Sequence, residues 1–293
     1  MTTFFPGFAR HRISTAGAEI NAVVGGSGPP LLLLHGYPQT HVAWHRLGPL
    51  LARDFTVVAT DLRGYGDSTA PADGPWTKRA VAADQVAVMA ALGHRRFGLV
   101  GHDRGGRVAH RLALDHRQAV AAFVSLTVIP TPEMWDRMTA ASALNAWHWF
   151  MLAQPGDLPE RLLAADPALF LDRTLARMVH DPASLDPAAV AHYHRCFADP
   201  AVRRAMIGDY RAAAGIDDAT DRADLAAGRR LACPVHVLWE EGRYARGETP
   251  VDIWQRWAAG PVSGGPIRSG HLMPEEAPAA VAAAIMPFLN DNL

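Results

Sequence analysis

Apolar and polar positions along this chain come in blocks. Short apolar runs rich in Val and Leu stand at Leu31 to Leu34, Thr56 to Ala59, Phe97 to Val100, Phe123 to Val128 and Val235 to Trp239. Each is bounded by Gly, Pro, Asp or His, the pattern of a strand buried on both faces. Between them, Lys78 to Leu92 and Gly106 to Leu114 place Ala, Val and Leu at helical spacing. Strands alternating with helices predict an α/β fold with a mostly parallel sheet. Ligand sites in such folds lie at the carboxyl ends of the strands, so the residues just after each run carry the most information.

The alternation stops after Pro130. From Pro132 to about Leu225 there is no convincing strand, only Ala, Leu, Trp and Arg segments punctuated by prolines such as Pro155, Pro167, Pro187 and Pro200. That pattern predicts short helices inserted into the α/β chain, the usual way to build a lid over a site. Three segments follow: residues 1-131 as the first part of a core, 132-225 as a helical cap, and 226-293 as the second part of the core. The alanine-rich stretch Pro274 to Leu289 predicts a closing helix.

Composition narrows the function only by exclusion. The 293 residues carry 28 basic and 29 acidic side chains, a net charge of −1 that leaves no basic footprint for nucleic acid. Cys196 and Cys233 are too few for a disulfide framework, which fits a reducing cytoplasm. No apolar run is long enough to predict a membrane span. Met1 to Arg12 lacks the basic-then-apolar order of a signal peptide. One oddity remains: Lys78 is the only lysine, so 27 of the 28 basic residues are arginine. A coding bias that also favours Ala, Gly and Pro accounts for most of it.

The chemistry is at the strand ends. Gly101-His102-Asp103-Arg104-Gly105 follows a strand and opens a helix, which matches a nucleophile elbow with Asp in place of Ser. A carboxylate there can displace a leaving group from saturated carbon and form an ester that water must later cleave. The alternative is that Asp103 merely caps its helix. Upstream, His35-Gly36-Tyr37-Pro38 stands where α/β-hydrolases place one oxyanion-hole donor, which assigns the backbone N–H groups of Tyr37 and Arg104 to the hole. Near the C-terminus, His271 in Ser269-Gly270-His271 suits the general base, which comes last in the chain order of this fold.

With these residues assembled, the sequence resembles the fluoroacetate/haloacetate dehalogenase group of the α/β-hydrolase superfamily over nearly its whole length. The likeness rests on HGYPQTHVAW from His35, DLRGYGDS from Asp61 and GHDRGGRVAHRLALDH from Gly101. It continues with WHWFMLAQP from Trp147, DYRAAAGID from Asp209 and GHLMPEEAP from Gly270. It implies an α/β-hydrolase fold with a helical cap inserted after the sixth strand, and hydrolytic removal of halide from a small 2-haloacid without metal or cofactor. It also implies Arg104 and Arg107 as the clamp on the substrate carboxylate, and His148, Trp149 and Tyr210 as halide donors. Relatives of this group suggest a homodimer.

The sequence departs from that pattern at one place. Where the group carries its acid after the strand following the elbow helix, this chain has Thr127, which cannot hold a negative charge against an imidazole. The superfamily's other acid position follows the strand ending at Trp239, and there Glu240 and Glu241 precede Arg243. One of the two glutamates is expected to partner His271, with Glu241 favoured; the alternative is that both are solvated loop charges. Two other functions compete. An epoxide hydrolase shares the Asp nucleophile but wants two cap tyrosines, for which Tyr193 and Tyr210 are the candidates. A catalytically impaired binder of small carboxylates is supported by Thr127 alone.

Overall fold

The computed structural model describes residues 4–244 and 247–293. Its strands are β1 (Ala9–Ser14), β2 (Glu19–Gly25), β3 (Pro30–Leu34), β4 (Thr56–Thr60), β5 (Phe97–His102), β6 (Val120–Leu126), β7 (Val235–Glu240) and β8 (Val262–Ile267). They form one sheet in the order β1-β2-β4-β3-β5-β6-β7-β8. Only β1 and β2 run antiparallel to their neighbours; from β4 to β8 every pairing is parallel. This is the α/β architecture with a mostly parallel sheet that the apolar runs predict, and the α/β-hydrolase fold that the resemblance implies. The central strands are buried on both faces, which is why they read as unbroken Val and Leu rather than as alternation. Helices Lys78–Ala91 and Arg104–Asp115 pack on one face. On the other, Val281, Ile285 and Leu289 of the closing helix share a core with Val124 and Leu238.

Between β6 and β7 lie eight α-helices, from Thr131–Asp136 to Ile216–Ala226. The prolines that punctuate this stretch start helices rather than break them. Asp166, Asp186 and Asp199 each precede a proline at the first helical position and accept a backbone N–H from Leu169, Ala188 and Ala201. An Asp cap contributes about 1 kcal/mol, and proline there forfeits no hydrogen bond.

Three strands were not legible. β1 carries Arg10, His11 and Arg12 on an exposed edge, and β8 reads Val-Ser-Gly-Gly-Pro-Ile, so neither shows an apolar run. β2 adds Asn21 to an otherwise apolar stretch. Boundaries also differ: β6 spans Val120–Leu126 rather than Phe123 to Val128, and the closing helix divides into Met273–Glu276 and Pro278–Asn292.

Candidate active site

The sheet brings the site together because its strands end in step. Leu34 of β3 pairs with Gly101 of β5, His102 with Leu126 of β6, and Leu126 with Leu238 of β7. Tyr37, Asp103, Thr127 and Glu240 therefore emerge along one edge, and His271 follows β8 by four residues. The elbow closes only with small neighbours. Asp103 has φ 47°, a strained value for a residue with a side chain. A Cβ on Gly36 would lie 2.7 Å from Asp103 Oδ1, and one on Gly105 would strike the carbonyl of Leu34. Asp103 makes no side-chain cap bond to its helix, which removes the capping alternative. Its Oδ1 instead accepts from the Tyr37 N–H at 2.9 Å. Arg104 is the first residue of the helix, so its N–H has no partner within the helix and is free to complete an oxyanion hole.

His271 stands between two carboxylates. Its Nε2 is 3.4 Å from Asp103 Oδ2, and its Nδ1–H donates to Glu240 Oε1 at 2.8 Å. The favoured partner Glu241 is thus replaced by Glu240. The strand β7 runs one residue beyond Trp239, so Glu240 is still held in the sheet and buried, while Glu241 steps into the exposed turn. Arg243 Nη1 also donates to Glu240 Oε1, at 2.5 Å. Burial works against the charge on Glu240, but Arg243 and His271 override it and hold the carboxyl at about 2. Burial likewise disfavours a charged His271, yet Asp103 and Glu240 together raise it to about 9. Asp103, despite its burial, is kept well below the usual carboxylate range by His271, His102 and Arg104. Thr127 lines the same cavity with φ 68°, and its buried hydroxyl has no partner.

The His271 backbone is tied down from both layers, through contacts that leave no mark in the residue pattern. Its carbonyl accepts from His102 Nε2–H at 2.7 Å, and its N–H donates to Met178 of the cap at 2.6 Å. Burial holds His102 at about 4, so that ring is a neutral donor at ordinary pH.

A cavity of about 890 Å³ opens beside Asp103, lined among others by Arg107, His148, Trp149, Glu240 and His271. Arg107 anchors its Nη1 on the Ile129 carbonyl (3.1 Å) and the Thr131 hydroxyl (3.0 Å), leaving its buried Nε unpartnered. Arg104 is placed differently from its expected twin. Its side chain is wholly buried behind the cavity lining, with Nε on Asp209 Oδ2 (2.5 Å) and Nη2 on the Asp209 carbonyl (2.9 Å); Nη1 alone has no partner. Both guanidiniums lie on aromatic faces, Arg104 at 4.2 Å from the Tyr210 ring centre and Arg107 at 4.6 Å from Trp149. His148 stacks on Tyr37 at 5.7 Å and burial holds its pKa at about 4, so it too is a neutral donor. Tyr210, expected as the third halide donor, does not line the cavity: it packs edge-on against His148 and Trp149, and its buried hydroxyl is unpartnered. Tyr193 belongs elsewhere: its hydroxyl donates to Glu275 Oε1 at 2.7 Å, away from the cavity. Among the described residues no group of three or more His, Cys, Asp or Glu is placed to hold a metal ion, and no helix is long and apolar enough to cross a membrane.

Comparison with known proteins agrees with this geometry. The α/β-hydrolase fold family matches residues 29–211. A fluoroacetate dehalogenase from Burkholderia sp. is 39% identical over 98% of this chain and 95% of its own length. A soluble epoxide hydrolase from Corynebacterium sp. is 33% identical over 95% of this chain and 96% of its own. Among solved structures, a Pseudomonas aeruginosa protein provisionally described as an epoxide hydrolase is 54% identical, covers 100% of this chain and 98% of its own, and superposes with a TM-score of 0.96. Fold, elbow and whole-length identity together make this chain a hydrolase of the α/β-hydrolase fold family, within its haloacetate dehalogenase group.

Proposed function

We propose that the protein removes halide from a small 2-haloacid by hydrolysis. The observation that carries this reading is a carboxylate in the elbow, Asp103, with the Arg107 guanidinium lining the same cavity and a second guanidinium, Arg104, buried behind that lining. A planar guanidinium fork suits a substrate carboxylate and would aim its α-carbon at Asp103. The Oδ2 of Asp103 attacks that carbon, the carbon–halogen bond breaks, and halide leaves toward the neutral donors His148 and Trp149. Water then adds to Cγ of the Asp103 ester, giving its proton to His271 Nε2. The negative charge develops on Oδ1, which the Tyr37 N–H already holds at 2.9 Å. Collapse breaks the Cγ–Oδ2 bond, the departing alkoxide takes the proton from His271 to give the 2-hydroxyacid, and the proton left on the new Asp103 carboxyl passes to His271, restoring the charged pair.

The two carboxylates around His271 give the sequence its order. Before reaction, a His271 held at about 9 is protonated at neutral pH and cannot act as a base. Alkylation removes the charge of Asp103 from 3.4 Å away. At an effective dielectric near 20 that loss weakens the ring's hold on its proton roughly a thousandfold. The base is thus released only once there is an ester to hydrolyse. Glu240 remains behind the ring to stabilise the imidazolium when it re-forms, which supports turnover over the impaired-binder reading drawn from Thr127.

Epoxide opening is the second reading, and one observation favours it: the buried Tyr210 hydroxyl has no partner, although Tyr210 packs against His148 and Trp149 rather than lining the cavity itself. The second tyrosine such chemistry wants, Tyr193, is committed to Glu275. Parallel assays of chloride or fluoride release from haloacetates and of diol formation from small epoxides decide between them. Halide release with no diol is expected; diol formation without halide release overturns the haloacid reading. A cytoplasmic location belongs to the same proposal, since both cysteines are free and buried.

A further inference from the structure

Lys78 is the only lysine in the chain, and it is buried. It opens the helix Lys78–Ala91, yet its ammonium group pairs with Asp209 of the cap helix Pro200–Ala214 and lies 3.9 Å from Asp217 of the next one. Its backbone N–H also donates to Asp217 Oδ1 at 3.0 Å. Asp209 is the residue that grips Arg104, and it accepts from the Tyr65 hydroxyl as well, at 3.1 Å. One cap carboxylate is therefore shared by two cations, Arg104 on the site side and Lys78 behind. Lys78 does not line the cavity, so it is no nucleophile or base in the reaction. Burying an ammonium is costly, and an apolar side chain would fill the space without that cost.

We propose that Lys78 is a positioning residue that draws on the charge of Asp209 so that Arg104 keeps a positive field toward the cavity, selecting anionic over neutral substrates. The inference rests on the haloacid reading. An Arg104–Asp209 pair by itself is close to neutral as seen from the cavity, and the field that Arg104 adds behind Arg107 would be spent. Adding Lys78 shifts the cluster by one unit toward positive charge, whatever the protonation of Asp217. Asp209 and Tyr210 are adjacent on one cap helix, so the same contact also fixes the cap over the nucleophile.

The test is single-turnover alkylation of Asp103 by chloroacetate and by chloroacetamide, its neutral isostere, in wild type, K78M and K78R. In K78M the preference for acid over amide falls about tenfold, through weaker saturation by the acid, while the amide rate at saturation changes less than about twofold. K78R, which keeps the charge, recovers part of the preference. An unchanged ratio in K78M overturns the proposal. Wild type that chloroacetate does not alkylate at all overturns the haloacid reading instead, and the two failures are distinct. If K78M does not fold, wild type labelled with 15N-lysine carries the label at one position only. Acetate, at concentrations that block alkylation, should then shift the Lys78 amide resonance and acetamide should not; no shift with acetate overturns the proposal.

Discussion

His271 sets the pH behaviour of this protein because it lies between Asp103 and Glu240. Its folded-state pKa of about 9 is above the ordinary 6.5. The stability its charge contributes is therefore fully present below pH 6.5 and is lost as pH rises through 9. Glu240 has the opposite sign: lowered from 4.5 to about 2, it contributes above pH 4.5 and that contribution fades as pH falls through 2. Thermal unfolding followed from about pH 6 to about pH 10 should show a falling Tm in wild type and a flatter profile in H271N. An equal slope in both would assign the effect to other groups. The two glutamates separate cleanly in kinetics. E240Q leaves alkylation of Asp103 intact but slows ester hydrolysis by roughly 10⁴, the effect of neutralising the acid of a comparable triad, so the alkylated enzyme accumulates. E241Q, altering an exposed side chain, should turn over as wild type does. Intact-mass spectrometry during turnover distinguishes them.

Among the elements, the site is a set of strand ends, and the acid can be carried by either of two neighbouring ones. Thr127 at the end of β6 and Glu240 at the end of β7 line the same cavity, and the Thr127 N–H donates to the Leu238 carbonyl at 2.8 Å. Asp tolerates the left-handed backbone that Thr127 is forced into better than a β-branched residue does. Adding T127D to E240Q should therefore restore part of the lost hydrolysis, read as disappearance of the adduct; an adduct that persists shows that the β6 position cannot reach the imidazole. The same two strands show what the sequence reveals and what it hides. Strands β3 to β7 and the Asp103 elbow were legible because burial on both faces leaves only apolar residues and tight turns demand glycine. Glu240 was misjudged against Glu241 because strand ends are set by pairing with a neighbour, here Glu240 with Ile267 of β8. The glycines and proline of β8 hid that neighbour. The grip of Asp209 on Arg104 was invisible for a similar reason, since it joins a cap helix to the elbow helix across about a hundred residues of chain.

For the whole molecule, the cap is the roof of the site and, among the described residues, carries the exposed large apolar side chains. Leu144, Leu158, Leu162 and Leu169 are each at least half exposed on it. Leu158 and Leu162 stand one turn apart on the helix Leu158–Ala165, and we propose association into a homodimer through this exposed apolar face. Light scattering should give twice the chain mass for wild type and a shift toward the single chain for L158E/L162E; a monomeric wild type would remove the expectation. The central claim, that Asp103 attacks a haloacid and His271 is needed only to free it, meets its most direct test in H271N. After incubation with chloroacetate, peptide mass spectrometry should find one carboxymethyl group, carried on Asp103, with one chloride released per chain and no further turnover. An H271N protein that releases chloride yet leaves Asp103 unmodified, or continued turnover without His271, would contradict it.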